Sequence, residues 1–119
     1  MATLKRFEDL SVWQKSREVT REIYNLTAYA DFSRDYGLRD QIRRASISIM
    51  ANIAEGFGRH SDREFANFLN IAHGSVAEVQ SHLYVALDLG YLAHDEFSKM
   101  YESLNETSKM SYSLAKRLR

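Results

Sequence analysis

The chain has 119 residues, a formal net charge of zero, and neither cysteine nor proline. This length predicts a single domain over residues 1–119, and a composition of 45% apolar and 27% charged residues is that of a globular protein. The lack of cysteine excludes disulfides and thiolate chemistry, and the lack of proline leaves long helices unbroken.

Apolar residues that recur at steps of three and four predict four long helices and no strand. The first helix is predicted over residues 11–30. Ser11 and Gln14 have the spacing of a capping box at its start. Val12, Val19 and Ile23 mark the face that we expect to be buried.

The second helix is predicted over residues 34–57, with Ser33 as its N-cap. Gly56 and Gly58 are expected to end it, since glycine readily adopts the left-handed conformation of a C-cap. This helix carries two apolar stripes, so it needs more cover than one small domain easily supplies. The stripes are Leu38, Ile42, Ala45, Ile49 and Ile53, and Ile47, Met50, Ala54 and Phe57.

The third helix is predicted over residues 62–89 and opens with a second capping box, Ser61 and Glu64. Gly90 is expected to end it. The fourth helix is predicted over residues 95–118, beginning with two acidic residues that suit the positive end of a helix dipole.

Four helices joined by short links predict an all-α, antiparallel up-and-down four-helix bundle. Such a bundle covers one stripe per helix and leaves uncovered Ile71 and Val85 of the third helix, together with three residues of the second helix: Ile47, Met50 and Phe57. We expect these three residues to form an oligomer interface, because a symmetric homo-oligomer covers apolar surface most simply. The alternative is that they cover loop ends or lie scattered on the surface.

Four segments in register resemble the 23S ribosomal RNA intervening-sequence protein family, also called the four-helix bundle protein family. They are LSVWQKS at residues 10–16, YGLRDQIRRA at 36–45, NIAEGFGR at 52–59 and HGSVAEVQ at 73–80. The resemblance implies an all-α bundle, ring-shaped homopentamers and no established enzymatic activity. From the sequence itself we expect no cofactor. A related accessory protein of diversity-generating retroelements is similarly pentameric and binds nucleic acid and a reverse transcriptase.

Arginines in the second predicted helix and just after it suggest a surface for the phosphates of RNA or DNA. Guanidinium groups donate two parallel hydrogen bonds to phosphate and stay charged. The alternative is that Arg39 and Arg43 pair with Asp35, Asp40 or acids of a neighbouring subunit. The near-neutral isoelectric point, about 6.9, argues against a strong nucleic-acid binder. The candidate residues are Arg39, Arg43, Arg44, Arg59 and Arg63, with a basic tail of Lys109, Lys116, Arg117 and Arg119.

Asn52 and Glu55 are polar positions in an otherwise apolar helix, three residues apart. Together with Gly56 they are predicted to form a structural polar network that sets helix register or a subunit contact, because buried polar groups need partners. A pocket for a small ligand at Asn52 and Glu55 is the alternative.

No catalytic or metal-binding pattern stands out in the sequence. The chain has neither an HExxH motif nor the Glu-x-x-His pairs of di-iron bundles, and no serine lies in a nucleophile elbow. Without a signal peptide or an apolar run of membrane-spanning length, the protein is expected to be cytoplasmic and away from membranes. We therefore predict a non-enzymatic homo-oligomer that binds nucleic acid, or alternatively a ring-shaped scaffold for a protein partner.

Overall fold

The computed structural model describes residues 4–118, which form four long helices and one short helix. No strand occurs in this part of the chain, so the all-α prediction is confirmed. The helices are α1 (Ser11–Leu26), α2 (Ala30–Arg34), α3 (Tyr36–Phe57), α4 (Asp62–Asp88) and α5 (His94–Arg117), preceded by a 3-10 turn at Phe7–Asp9.

The long helices pack as an antiparallel bundle. The hydroxyls of Ser48 in α3 and Ser75 in α4 are hydrogen-bonded at 2.9 Å, while Gly56, later in α3, faces Phe68, earlier in α4. The same reversal relates α4 to α5, and α1 closes the bundle by packing against both α3 and α5. The result is an elongated body of 45 × 22 × 20 Å.

Each long helix buries one apolar stripe along the axis of the bundle, as the sequence periodicity predicts. Burying such a side chain contributes roughly 1.5–3 kcal/mol relative to leaving it exposed. The largest aliphatic side chains that are almost fully buried are Ile23, Ile42, Ile49, Ile53, Leu69, Leu83 and Leu104.

The start of α1 differs from the prediction. Ser11 is the first helical residue, Leu10 is the N-cap, and no side chain caps this end. Gln14 donates its side-chain amide to the carbonyl of Glu8 at 2.8 Å, which ties the preceding 3-10 turn to the helix. The predicted capping box is therefore wrong, because Ser11 lies inside the helix and the Gln14 side chain binds a carbonyl six residues earlier.

A short extra helix replaces the predicted link between the first two long helices. α1 ends at Leu26, where Thr27 donates its hydroxyl to the carbonyl of Ile23 at 2.8 Å. Ser33 lies inside α2, so its prediction as the N-cap is wrong. Asp35 takes that role, because its Oδ1 atom accepts from the Leu38 amide at 3.2 Å.

The glycines at the end of α3 do not act as left-handed caps. Gly58 has a φ of −77°, an ordinary helical value, and Gly56 lies within the helix and is buried. A Cβ atom on Gly56 would lie 2.6 Å from the Phe68 Cβ, so the position requires glycine for the close approach of α4. The predicted end of the helix is correct, but the reason for the glycines is wrong.

Both ends of α4 are capped where predicted, but the capping box at Ser61 is only half formed, because the Glu64 carboxylate accepts from the Ser61 hydroxyl and not from its backbone amide. Ser61 accepts a hydrogen bond from the Glu64 amide at 3.1 Å, and its hydroxyl donates to the Glu64 carboxylate at 3.2 Å. Gly90 has a φ of +76°, and the Tyr91 amide donates to the Ala86 carbonyl at 2.9 Å. This is the hydrogen-bonding pattern of a Schellman motif.

Asp35 also ties the start of α3 to the link between α4 and α5. Its Oδ2 atom accepts from the Tyr91 hydroxyl at 3.0 Å, and the Tyr91 ring packs on Phe32 with centroids 5.3 Å apart. The hydrogen bond to Asp35, with a smaller effect of burial, raises the pKa of the Tyr91 phenol above its ordinary value. One carboxylate therefore caps a helix and fixes a loop.

Replacing Gly56 by alanine is expected to destabilise the bundle by about 1–3 kcal/mol, because the new Cβ overlaps the Phe68 Cβ. Gly74 is the matched control, since no atom lies within 4 Å of a Cβ added there. Gly74→Ala should stabilise α4 by about 0.5–1 kcal/mol through helix propensity. Urea unfolding of both variants measures the difference, and equal effects would contradict the close-approach role of Gly56.

Replacing Tyr91 by phenylalanine is expected to reduce stability at neutral pH and to flatten its alkaline decline. Because the folded-state pKa is raised, the contribution of the phenol is complete below its ordinary value of 10.0 and is lost as the pH rises past it. Urea unfolding should therefore show that the wild type loses more stability than Tyr91→Phe above about pH 10. Tyr112→Phe, at an exposed site, is the control, and parallel alkaline declines for wild type and Tyr91→Phe would refute this coupling.

Candidate nucleic-acid interface

Arg39 lies at the start of α3 and is held by three neighbours. Its Nε atom donates to Asp40 Oδ1 at 3.0 Å and its Nη1 atom donates to the Ser33 carbonyl at 3.0 Å. The guanidinium also lies 4.8 Å from the ring centroid of Tyr36. Its pairing with Asp40 is the intramolecular alternative considered from the sequence, and it leaves fewer donors for an external phosphate.

Arg43 links α3 to the end of α1. Its Nε atom donates to the Thr27 hydroxyl at 2.7 Å, and its guanidinium lies 4.4 Å from the ring centroid of Tyr24. Arg44, the next residue, is exposed and forms no salt bridge with the residues that the structure describes. Of the three arginines in this group, Arg44 therefore has the most accessible guanidinium.

Arg59 and Arg63 lie at the opposite end of the bundle. Arg59 donates to Glu55 at 3.1 Å and covers the ring of Phe68 at 4.8 Å. Arg63, in the first turn of α4, is exposed and has no salt bridge within residues 4–118. At 1.5 Å per residue, the stretch of α3 from Arg43 to its end at Phe57 separates the two groups by about 21 Å. The structure therefore does not bring the five arginines into one surface.

The two halves of the bundle differ in charge. We call the half with the start of α1, the end of α3, the start of α4 and the end of α5 the basic end, and the other half the acidic end. Among the described residues, lysine and arginine outnumber the acids at the basic end and are outnumbered at the acidic end. Arg39, Arg43 and Arg44 lie at the acidic end, where a polyanion is less favoured.

A cleft of about 490 Å³ lies at the basic end, between the start of α4 and the end of α5. Arg63, Asn67 and Asn70 line it with Ala66 and Leu118. The exposed residues Lys116 and Arg117 immediately precede Leu118 and form no salt bridge within the described chain. Arg119, the last cation of the predicted tail, lies outside the described residues.

The two asparagines were missed by sequence reasoning. Arg63, Asn67 and Asn70 follow one another at steps of four and three, so they share one face of α4. That polar stripe is visible in the sequence beside the apolar one. Its partner, the end of α5, is more than forty residues away in the chain and becomes apparent only in the fold.

The predicted polar network contains Asn52 but not Glu55. Asn52 donates its side-chain amide to the carbonyl and hydroxyl oxygens of Ser48, at 2.8 and 3.0 Å, and Ser48 is bonded to Ser75 of α4. Glu55 instead lies at the surface and pairs with Arg59. Gly56 contributes close packing, so the three residues serve three different contacts.

The predicted interface residues differ in exposure. Ile47 is 43% exposed, whereas Met50 and Phe57 are half-buried and pack against the core. Phe57 makes an edge-to-face contact with Phe65, with centroids 5.9 Å apart. Within the described chain, further exposed apolar side chains lie on α4 and just after it: Ile71 (52%), Val85 (44%) and Leu89 (53%).

A serine and a histidine meet between α4 and α5. Ser108 Oγ lies 2.6 Å from His73 Nδ1, the distance expected of a nucleophile and its base. Both residues are within regular helices, whose backbone amides are already paired and are therefore not available as oxyanion donors. The pair therefore joins two helices. Nowhere in residues 4–118 do three His, Asp or Glu side chains cluster as metal ligands would.

A family model described as "23S rRNA-intervening sequence protein" matches residues 8–113. The chain belongs to this family. It is also similar to the crystal structure of a protein of unknown function from the S23 ribosomal protein family of Bacteroides thetaiotaomicron, with 27% identity and a TM-score of 0.80. That similarity covers 88% of this chain and 98% of the other. The chain matches none of the curated proteins with which its sequence was compared.

The segments that resemble the 23S rRNA-intervening sequence protein family lie at helix contacts. Trp13, in the first segment, packs edge-to-face on Phe7 with centroids 5.0 Å apart. Gly56, in the third segment, allows the close approach of α4. In the fourth segment, His73 contacts α5 and Ser75 contacts α3. The family signature in this chain therefore describes how the bundle packs, and it contains little of the cleft at the basic end.

The described part of this family member holds no helix with both the length and the hydrophobicity that a membrane crossing requires.

Proposed function

We propose that the protein is a non-enzymatic homo-oligomer that binds nucleic acid through the basic end of its bundle. The cleft between α4 and α5 supports this proposal most directly, because Arg63, Asn67 and Asn70 line it together. Guanidinium groups bind phosphate through paired hydrogen bonds, and asparagine amides can bind phosphates or base edges. Lys116 and Arg117 do not line the cleft, but they add two exposed cations to the same end of the bundle.

The proposed binding surface does not include the start of α3, which the sequence had suggested. Arg39 and Arg43 already donate to Asp40, Ser33 and Thr27, so binding a phosphate there would require these bonds to be broken. They also lie at the acidic end, which repels a polyanion. Arg59 and Arg63 remain in the proposal, with Arg63 the better donor because Glu55 occupies Arg59.

Oligomerisation would strengthen weak contacts. A single cleft offers few phosphate contacts, and the binding they provide decreases steeply with salt. A ring of five copies, the assembly that the family resemblance implies, would present five such clefts, and the effective concentration at the second and later contacts would raise the overall affinity.

Charge reversal at the basic end is expected to weaken nucleic-acid binding. Arg63→Glu should raise the apparent Kd for a labelled single-stranded RNA or duplex DNA by about tenfold and reduce its salt dependence. Arg44→Glu is the matched control, because Arg44 is also exposed and lacks a salt bridge within the described residues but lies at the acidic end. Fluorescence anisotropy over a salt series measures both variants.

Two results would count against this function. Absence of salt-dependent binding to RNA and DNA at low ionic strength would remove it altogether. A larger loss with Arg44→Glu than with Arg63→Glu would instead return the surface to the start of α3 and refute the cleft.

The alternative function is a ring-shaped scaffold for a protein partner, which exposed apolar side chains on α3, on α4 and just after α4 favour. Ile71, Glu78 and Val85 follow at steps of seven and therefore share one face of α4, and Leu89 extends it by one more turn. Ile47 is the exposed apolar residue of α3. We call Ile47, Ile71, Val85 and Leu89 the apolar face. Exposed apolar side chains are typical of protein interfaces, and we propose that these four residues join copies of the chain into the ring that would serve as the scaffold.

Purified protein at micromolar concentration is expected to have a mass several times the 13.8 kDa of one chain. Ile71→Glu and Val85→Glu should shift it to the monomer mass, because each buries an unpaired charge in the proposed contact. Tyr112→Glu, at a comparably exposed site on α5, should leave the assembly unchanged. Size-exclusion chromatography with light scattering measures the masses, and a monomeric wild type would refute self-association through this face.

A further inference from the structure

A second concave site opens at the acidic end, far from the cleft proposed for nucleic acid. This pocket has a volume of about 350 Å³ and lies where the end of α1, the link to α2, the link between α4 and α5, and the first turns of α5 meet. We call it the end pocket. Its volume is within the range of pockets that bind small organic molecules.

The floor and one wall of the end pocket are apolar and held in place. Leu92 and Met100 are buried, and Leu26 is half-buried beside them. The Tyr91 wall is fixed at two points, by the hydrogen bond from its hydroxyl to Asp35 and by packing on Phe32. A preformed apolar surface of this kind favours the apolar body of a ligand without a cost of ordering.

Carboxylates outnumber cations at the rim of the end pocket. Glu22 and Glu96 line it together with Lys99, and none of the three forms a salt bridge within residues 4–118. Glu96 Oε1 accepts from the Ala93 amide at 2.9 Å, which leaves its second oxygen available. The rim therefore attracts a positively charged group more strongly than a neutral or negative one.

A strained residue forms part of the same pocket. Ala30 has a φ of +49°, in the left-handed region that costs a non-glycine residue roughly 1–2 kcal/mol. It lines the end pocket next to Tyr29, whose side chain is 72% exposed. Strain of this kind persists where the surrounding structure holds the backbone in place. The turn at Tyr29 and Ala30 therefore forms one wall of the end pocket, held in a fixed backbone conformation.

We infer that the end pocket binds an amphipathic organic cation, a primary amine joined to an aromatic or branched apolar body. The apolar body lies on Leu26, Leu92 and Met100, between the rings of Tyr29 and Tyr91. The ammonium group lies at the rim between Glu22 and Glu96, where it gains charge-assisted hydrogen bonds and faces aromatic rings. This site is separate from the nucleic-acid proposal and does not depend on it.

Phenethylamine is the probe, with phenylacetate as a control of similar size and opposite charge. Titration followed by amide NMR should show phenethylamine perturbing residues of the end pocket at millimolar concentrations, with phenylacetate much weaker. Glu22→Gln should weaken phenethylamine binding by about tenfold, the effect of one charge-assisted contact. Glu18→Gln, one turn earlier on α1 and outside the pocket, should leave it unchanged.

A second variant tests the apolar part of the site. Tyr29→Ala removes an exposed wall without touching the core, so the fold is retained and binding should weaken. The inference is overturned if phenylacetate binds as well as phenethylamine, if Glu22→Gln and Glu18→Gln behave alike, or if the perturbed amides lie outside the end pocket. Absence of any perturbation by phenethylamine also overturns it.

Discussion

The rest of the structure depends on how closely α3 packs against α4. Gly56 allows the backbone of α3 to meet Phe65 and Phe68 directly, with no side chain between them. Further along the same contact, Ser48 and Ser75 pair their hydroxyls, and Asn52 joins them. Small and polar residues therefore fill the seam between the two helices. The larger apolar residues are divided between the axis of the bundle and the outer face of the pair.

The bundle itself could be predicted from the spacing of apolar residues and from the capping residues and glycines at helix ends. Local rules correctly predict the burial of Ile42, Ala45, Ile49 and Ile53 in the first stripe of α3, with Leu38 half-buried. They also predict the end of α4 at Gly90 and the cap at Ser61. The predictions that failed used local rules that do not account for competing contacts elsewhere in the chain. Asp35 displaced Ser33 as a cap because its carboxylate also receives Tyr91, a residue 56 positions away. The sequence alone does not contain that second partner.

Gly56 shows the same limit in another form. A glycine near the end of a helix serves either a left-handed turn or a close approach, and the two are identical in a local pattern. Only the position of Phe68, on the next helix, distinguishes them. The positions of the arginines were harder still to predict, because Arg39 and Arg59 are the same residue type in one stretch of the sequence, yet Arg39 lies at the start of α3 and Arg59 just beyond its end. The cleft at the basic end required residues from both α4 and α5.

The uneven charge along the body has a mechanical consequence. A 45 Å rod with an excess of cations at one end and of anions at the other is an electric dipole. A charged surface or polymer that comes near such a rod exerts a torque on it before the two make contact. In dilute salt the molecule is therefore oriented with its basic end towards a polyanion before the two make contact. At physiological ionic strength the Debye length is about 8 Å, shorter than the rod, so this turning is confined to close range.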